Sequence, residues 1–212
     1  MTGGAGTVPG PGFGDPAQDA QRVFRAVLDA LARPGRAQPV GALPSPPPPA
    51  LGNGVTAVAL TLFDEDSAVW CAPGLAADPA VMSFLTFHTG MRTALAPAVA
   101  DFVIAAPDTL PALEEMAPGT DEEPHRSTTV LLDVRGAGIA ASPARWAVRG
   151  PGIDGMTTVE LPWLPAGFVD QWRTNGGLFP RGVDLLVIDD DSVLGLPRTT
   201  RLHASTDPQP EG

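Results

Sequence analysis

Two short segments near the carboxyl end concentrate the residues whose chemistry is hardest to explain by folding alone. Asn175-Gly-Gly-Leu-Phe-Pro-Arg-Gly-Val-Asp184 and Leu196-Pro-Arg-Thr-Thr-Arg201 flank one apolar stretch. They join constrained backbone positions (Gly176, Gly177, Gly182, Pro180, Pro197) to fixed charges at Arg181, Asp184, Arg198 and Arg201. Two guanidinium groups and the hydroxyls of Thr199 and Thr200 suit a phosphate, phosphonate or carboxylate. In an extended segment Arg198 and Thr200 share one face, and Thr199 and Arg201 the other. The same residues suit an ion pair at an interface, for example between Arg198 and Asp184, and the residues alone leave both readings open. All 13 basic side chains are arginine, and lysine is absent. The cations are therefore strong anion binders and poor proton-transfer groups or nucleophiles.

Elsewhere the chemistry thins out. The histidines His88, His125 and His203 have no metal-binding spacing. His88 and His125 are the candidates for acid–base catalysis, with helix capping as the alternative for His88 in a last helical turn. Asp121, His125 and Ser127 supply the residue types of a hydrolytic triad, but no Gly-x-Ser-x-Gly elbow accompanies them. Gly150-Pro-Gly-Ile-Asp-Gly155 lacks the Lys-Ser/Thr ending of a phosphate loop and reads as a tight turn. Asp189-Asp190-Asp191 reads as a hairpin turn, and Cys71, the one cysteine, as a small buried residue. No cofactor is expected.

These residues need elements to place them. Asp15-Pro16 with Gln18 starts a helix running to about Ala32, with Ala20, Phe24, Val27, Leu28 and Leu31 on its buried face. Arg33-Pro34-Gly35 stops it. Pro44 to Pro49 is a stiff connector. Further helices are expected around Val55–Leu62, from Asp78 to His88, from Asp108 through Met116, and from Pro165 to Thr174. Strands are expected at 69–71, 101–106, 128–134, 145–148, 159–161, 183–188 and 193–194. Helices alternate with strands first and hairpins follow, which predicts an α/β fold with a mixed sheet covered by helices.

A chain of 212 residues suits one packed domain. Its net charge of −11 argues against nucleic acid or an anionic membrane surface as partner. No apolar run is long enough to span a bilayer, and Met1–Gly12 lacks the features of a signal peptide, so a cytoplasmic protein is expected. Residues 12–203 should form the domain, with disordered tails at 1–11 and 204–212.

The order of the segments adds what no single one carries. Gly12-Phe-Gly-Asp15, Ala32-Arg-Pro-Gly35, Leu60-Thr-Leu-Phe-Asp64, Phe87-His-Thr-Gly90 and Gly119-Thr-Asp-Glu122 occur in turn. Gly150-Pro-Gly-Ile153, Leu178-Phe-Pro-Arg-Gly-Val-Asp184 and Leu196-Pro-Arg-Thr-Thr200 follow. Over residues 12 to 203 this series resembles the PhnH family of the bacterial carbon–phosphorus lyase system. The resemblance implies a three-layer α/β/α fold similar to pyridoxal-phosphate-dependent transferases, a homodimer, and assembly with PhnG, PhnI, PhnJ and PhnK. It also implies a part, with PhnG, PhnI and PhnL, in transferring the ribose triphosphate of ATP to a phosphonate with release of adenine. Phosphonate or ATP would be bound in the assembled complex. The alternative is a stand-alone dimeric module that binds phosphate or phosphonate without chemistry. Pyridoxal phosphate is held through a lysine, which this chain lacks, and one cysteine cannot build an iron–sulfur cluster.

Overall fold

The computed structural model describes residues 10–137 and 145–204. The tails expected at 1–11 and 204–212 fall almost wholly outside them. Helix α1 (Pro16–Ala32) begins where Asp15 accepts the amide of Gln18 at 3.1 Å. The amide of Asp15 is in turn taken by Asp19 at 3.0 Å, so Asp19 closes the box in place of Gln18. Then follow β1 (Gln38–Pro39), α2 (Asn53–Leu62), β2 (Ala68–Cys71), α3 (Pro73–Ala76), α4 (Pro79–Thr89) and β3 (Arg92–Thr93). After them come β4 (Phe102–Ala105), β5 (Thr129–Asp133), β6 (Arg145–Arg149), β7 (Thr157–Glu160), α5 (Phe168–Gly176), β8 (Asp184–Ile188), β9 (Ser192–Leu196) and β10 (Arg201–Ala204).

A seven-stranded mixed sheet runs in the order β1-β9-β8-β5-β4-β2-β3, with β2, β3, β4, β5 and β8 parallel and β9 antiparallel to β8. The expected mixed α/β architecture is therefore present. Strands β5 and β8 are buried on both faces, which is why Val130-Leu-Leu132 and Leu185-Leu-Val-Ile188 are unbroken apolar runs. One face packs on α1, α2 and α4 through Val27, Val55, Leu85, Leu131 and Leu186. The other packs on α5 and a second, three-stranded sheet, β10-β6-β7. Its strands alternate, burying Val148, Val159 and Leu202 while Arg145, Arg149 and Arg201 face outward. That one-sided pattern keeps them out of the central sheet.

Three expectations change. Phe24 and Leu28 do not lie on the buried face of α1; they are 45% and 50% exposed, and Val23, Ala26, Val27 and Ala30 are buried instead. The reason is close approach: a Cβ on Gly195 of β9 would lie 2.6 Å from the backbone of Ala30. Only small side chains fit between helix and strand, so the large ones turn out. The helix expected from Asp108 is only a 3-10 turn, Leu113–Glu115, because Pro111 denies the helical ladder a donor. The last helix begins at Phe168 after the left-handed Gly167, rather than at Pro165.

Gly195→Ala should cost about 1–3 kcal/mol in urea unfolding, since neither backbone can yield without shifting the helix. Burial pushes the thiol of Cys71 up to about 11. A thiol reagent at pH 8 should therefore modify it only on the timescale of unfolding, and rapid labelling of the native protein would contradict this placement.

Candidate functional site

Strands β5 and β8 both start, and β9 ends, at the same edge of the sheet, and Arg198 sits where they meet. Its Nε donates to Asp184 Oδ1 at 3.0 Å, and its Nη2 donates to Asp184 Oδ2 and to Ser127 Oγ, the latter at 2.6 Å. Its Nη1 donates to the carbonyls of Pro124 at 2.9 Å and Pro180 at 3.2 Å. Every one of the five guanidinium donors has a protein acceptor. The Arg198 backbone amide also donates to Asp184 Oδ1 at 2.7 Å. With only 13% of the Arg198 side chain and 21% of Asp184 exposed, desolvation is costly, and full pairing offsets it.

The glycines and proline of the first segment shape the pocket that receives this pair. Asn175, buried in the last turn of α5, accepts the amide of Val183 at 2.7 Å and donates to its carbonyl at 2.9 Å. Gly182 has φ +123°, and a Cβ there would stand 3.0 Å from Asn175 oxygens, so glycine is required. Its amide reaches the Pro118 carbonyl at 2.8 Å, and the Phe179–Pro180 peptide is cis. Arg181 Nε lies 3.0 Å from Asp121 Oδ1, close enough for an ion pair but not aligned as a hydrogen bond.

Residues 197–200 form a turn, not the extended run that alternation assumes. Thr200 donates to the Pro197 carbonyl at 2.7 Å, and its own carbonyl accepts from Trp172 Nε1 at 3.0 Å. Thr199 is half-buried in the same turn, where a Cβ on Gly150 would stand 3.1 Å from its carbonyl oxygen. Strand β10 starts only at Arg201, which is exposed. The structure thus separates the two arginines: Arg198 points into the fold and Arg201 out of it.

The histidines are apart from this cluster in different ways. His88 packs against Phe84 and Phe87, and its Nε2 lies 2.8 Å from the Gly10 carbonyl, pinning the start of the domain to α4. His125 is exposed and lines an open cleft of about 330 Å³ with Asp64, Asp66, Asp101, Ser127 and Thr129. Ser127 is buried, and its oxygen accepts from Arg198, a cation that cannot take its proton. Asp64 is held below the usual carboxylate range by the Ser67 hydroxyl and by backbone amides, and Asp101 accepts the amide of Ala68 at 2.8 Å. No group of three metal-binding side chains converges among the described residues.

Arg135, not among the residues singled out from the sequence, ties the opposite end of the sheet. It pairs with Asp133 at 2.9 and 2.7 Å, reaches the Ala50 carbonyl at 3.2 Å and stands 3.6 Å from Asp190. Asp133 pushes it further above the ordinary guanidinium range. A Cβ at Gly52, where φ is +69°, would collide with the guanidinium, so that glycine leaves it room. Beside it, past the carboxyl ends of β4 and β5, lies a cleft of about 560 Å³ that includes Asp108 and Trp163. Such ends are where open α/β sheets place ligands. The only sequence clue to Arg135 is a charge next to glycine directly after an apolar strand.

These features define a mixed-sheet α/β protein whose arginines mostly brace the fold, without an activated nucleophile among the described residues. Residues 11–203 match the model of the bacterial phosphonate metabolism protein (PhnH) family, and the chain belongs to that family. It is 40% identical over 195 residues to the alpha-D-ribose 1-methylphosphonate 5-triphosphate synthase subunit PhnH of Rhizobium meliloti (strain 1021), covering 90% of this chain and 94% of that one. It is 29% identical over 187 residues to HtxG of Stutzerimonas stutzeri, a provisionally assigned C–P lyase subunit protein, covering 86% and 85% of the two chains.

Arg198→Ala leaves Asp184 partly buried without its cation and should lower unfolding stability by about 3 kcal/mol. Arg198→Lys keeps the charge but not the planar fork and should lie between the two. A double-mutant cycle with Asp184→Ala measures the coupling; additive effects would remove Arg198 from this structural role.

Proposed function

We propose that this chain is a subunit of the carbon–phosphorus lyase system, needed with PhnG, PhnI and PhnL to transfer the ribose triphosphate of ATP to a phosphonate with release of adenine. The observation that carries the reading is the 40% identity with the Rhizobium synthase subunit across nearly the full length of both chains. The site geometry favours a subunit that depends on others over a self-sufficient enzyme. Arg198 spends all its donors internally, Ser127 faces a guanidinium rather than a base, and burial pushes the Cys71 thiol up to about 11, away from a ready thiolate.

Within this reading the protein is cytoplasmic, forms a homodimer, and joins PhnG, PhnI, PhnJ and PhnK. The fold is a relative of the three-layer pyridoxal-phosphate-dependent transferases that works without that cofactor, in keeping with the absence of lysine. Arg201 and Arg181, the more exposed of the candidate arginines, are better placed than Arg198 to meet a ligand or partner. His88 and His125 are secondary candidates, and His125 is the one that opens onto a cleft.

The purified chain mixed with ATP and methylphosphonate should release no adenine, and adding PhnG, PhnI and PhnL should restore release. Turnover by the chain alone would overturn the dependent-subunit reading. An active PhnG–PhnI–PhnL mixture that gains nothing from this chain would do the same.

A further inference from the structure

We propose that the outward face of the small sheet, centred on Arg149 and Arg201, docks a carboxylate-rich surface of a partner subunit. This rests on the subunit reading above and names the face involved. In the antiparallel ladder of β10 with β6, Arg201 stands opposite Arg149, and His203 opposite Ala147. Directly opposed residues project from the same face of a sheet. Leu202 and Val148 between them are buried in the core, so both arginines project outward, and both are exposed.

Like charges placed directly opposite one another destabilise a sheet. Neither arginine has an ion-pair partner among the described residues, although the chain carries 24 acidic residues against 13 arginines. Eight of the other eleven arginines, Arg22, Arg33, Arg126, Arg135, Arg145, Arg173, Arg181 and Arg198, each meet a carboxylate; Arg25, Arg36 and Arg92 do not, but none of these stands opposite a second arginine in a strand ladder of the described residues. An unmatched cross-strand pair in an acidic chain is compensated most simply by carboxylates from outside.

The surroundings have the make-up of an interface. Arg149 Nη2 lies 3.8 Å from the sulfur of Met156, whose side chain is 49% exposed, and arginine and methionine are enriched where proteins meet. The patch continues round the free edge of β10 into a groove of about 150 Å³ against α5, floored by Trp172 and Leu202 and flanked by Arg173 and His203. A twofold dimer through this face would set arginine near arginine, since both copies present the same patch. The fitting occupant is therefore a different, acidic surface.

The test uses the full chain co-expressed with PhnG, PhnI and PhnJ, with the tag on PhnI. The paired substitutions are Arg149→Glu with Arg201→Glu, and the milder Arg149→Gln with Arg201→Gln in case the first pair disturbs folding. Wild-type protein should co-purify in about 50 mM salt and be released toward about 500 mM, as expected for charge-driven docking. The glutamate pair should weaken association at least ~10-fold, and the glutamine pair by less, with the thermal midpoint of the isolated chain not lowered by the glutamine pair, which removes the like-charge opposition. A folded glutamate variant that assembles like wild type overturns the docking face alone. Failure of the wild type to co-purify overturns the subunit reading and the docking face with it. An effect confined to self-association of the isolated chain assigns the face to a second copy and overturns the acidic partner.

Discussion

The fold is closed at one edge by a single charge pair. Arg198 and Asp184 draw together the loop before β5, the turn after α5 and the chain leaving β9, three segments far apart in sequence. A buried guanidinium is tolerated only when nearly every donor is met, because desolvation otherwise exceeds the attraction. That requirement explains the constrained residues nearby. Gly182 lets the chain pass Asn175, the Phe179–Pro180 turn aims a carbonyl at the guanidinium, and Pro197 begins the turn that closes with Thr200. Gly182, Pro180 and Pro197 thus shape the surroundings of one ion pair.

Arg135 performs a similar task at the opposite edge, binding Asp133 and approaching the acidic turn between β8 and β9. The central parallel strands β5 and β8 are therefore held at both ends by arginine–carboxylate pairs. Between the clamps, stability comes from unbroken apolar strands covered on both faces. The close seating of α1 on β9, with Ala30 over Gly195, sets the spacing of one of those faces. It also leaves Phe24 and Leu28 outside.

Once these clamps are counted, the distribution of arginine becomes informative. Lysine is absent, so every cation is of the kind suited to fixed, multi-donor pairing. Most are matched within the chain. The two on the outer face of the small sheet are not, and they stand directly opposite one another in a molecule whose overall charge is −11. A face of this kind agrees with the subunit reading proposed above.

Several features were legible from residues alone because their causes are local. Asp15-Pro16 and Asp78-Pro79 start helices through their own side chains and fixed φ, and Gly90 ends one in a left-handed turn. The apolar runs of β4, β5 and β8 marked the buried strands, and the order of short motifs marked the family. The tertiary structure decided the rest. Periodicity could not say which side of α1 would meet a glycine on a distant strand. It could not place the short strands β1 and β3, which exist because neighbours offer them ladder partners. Nor could spacing separate Arg198 from Arg201. Three residues apart, one is buried by acceptors recruited from distant parts of the chain, and the other is turned outward by the pleat of β10. A side chain's type limits what it can bind, but which groups reach it is settled only when the chain folds back on itself.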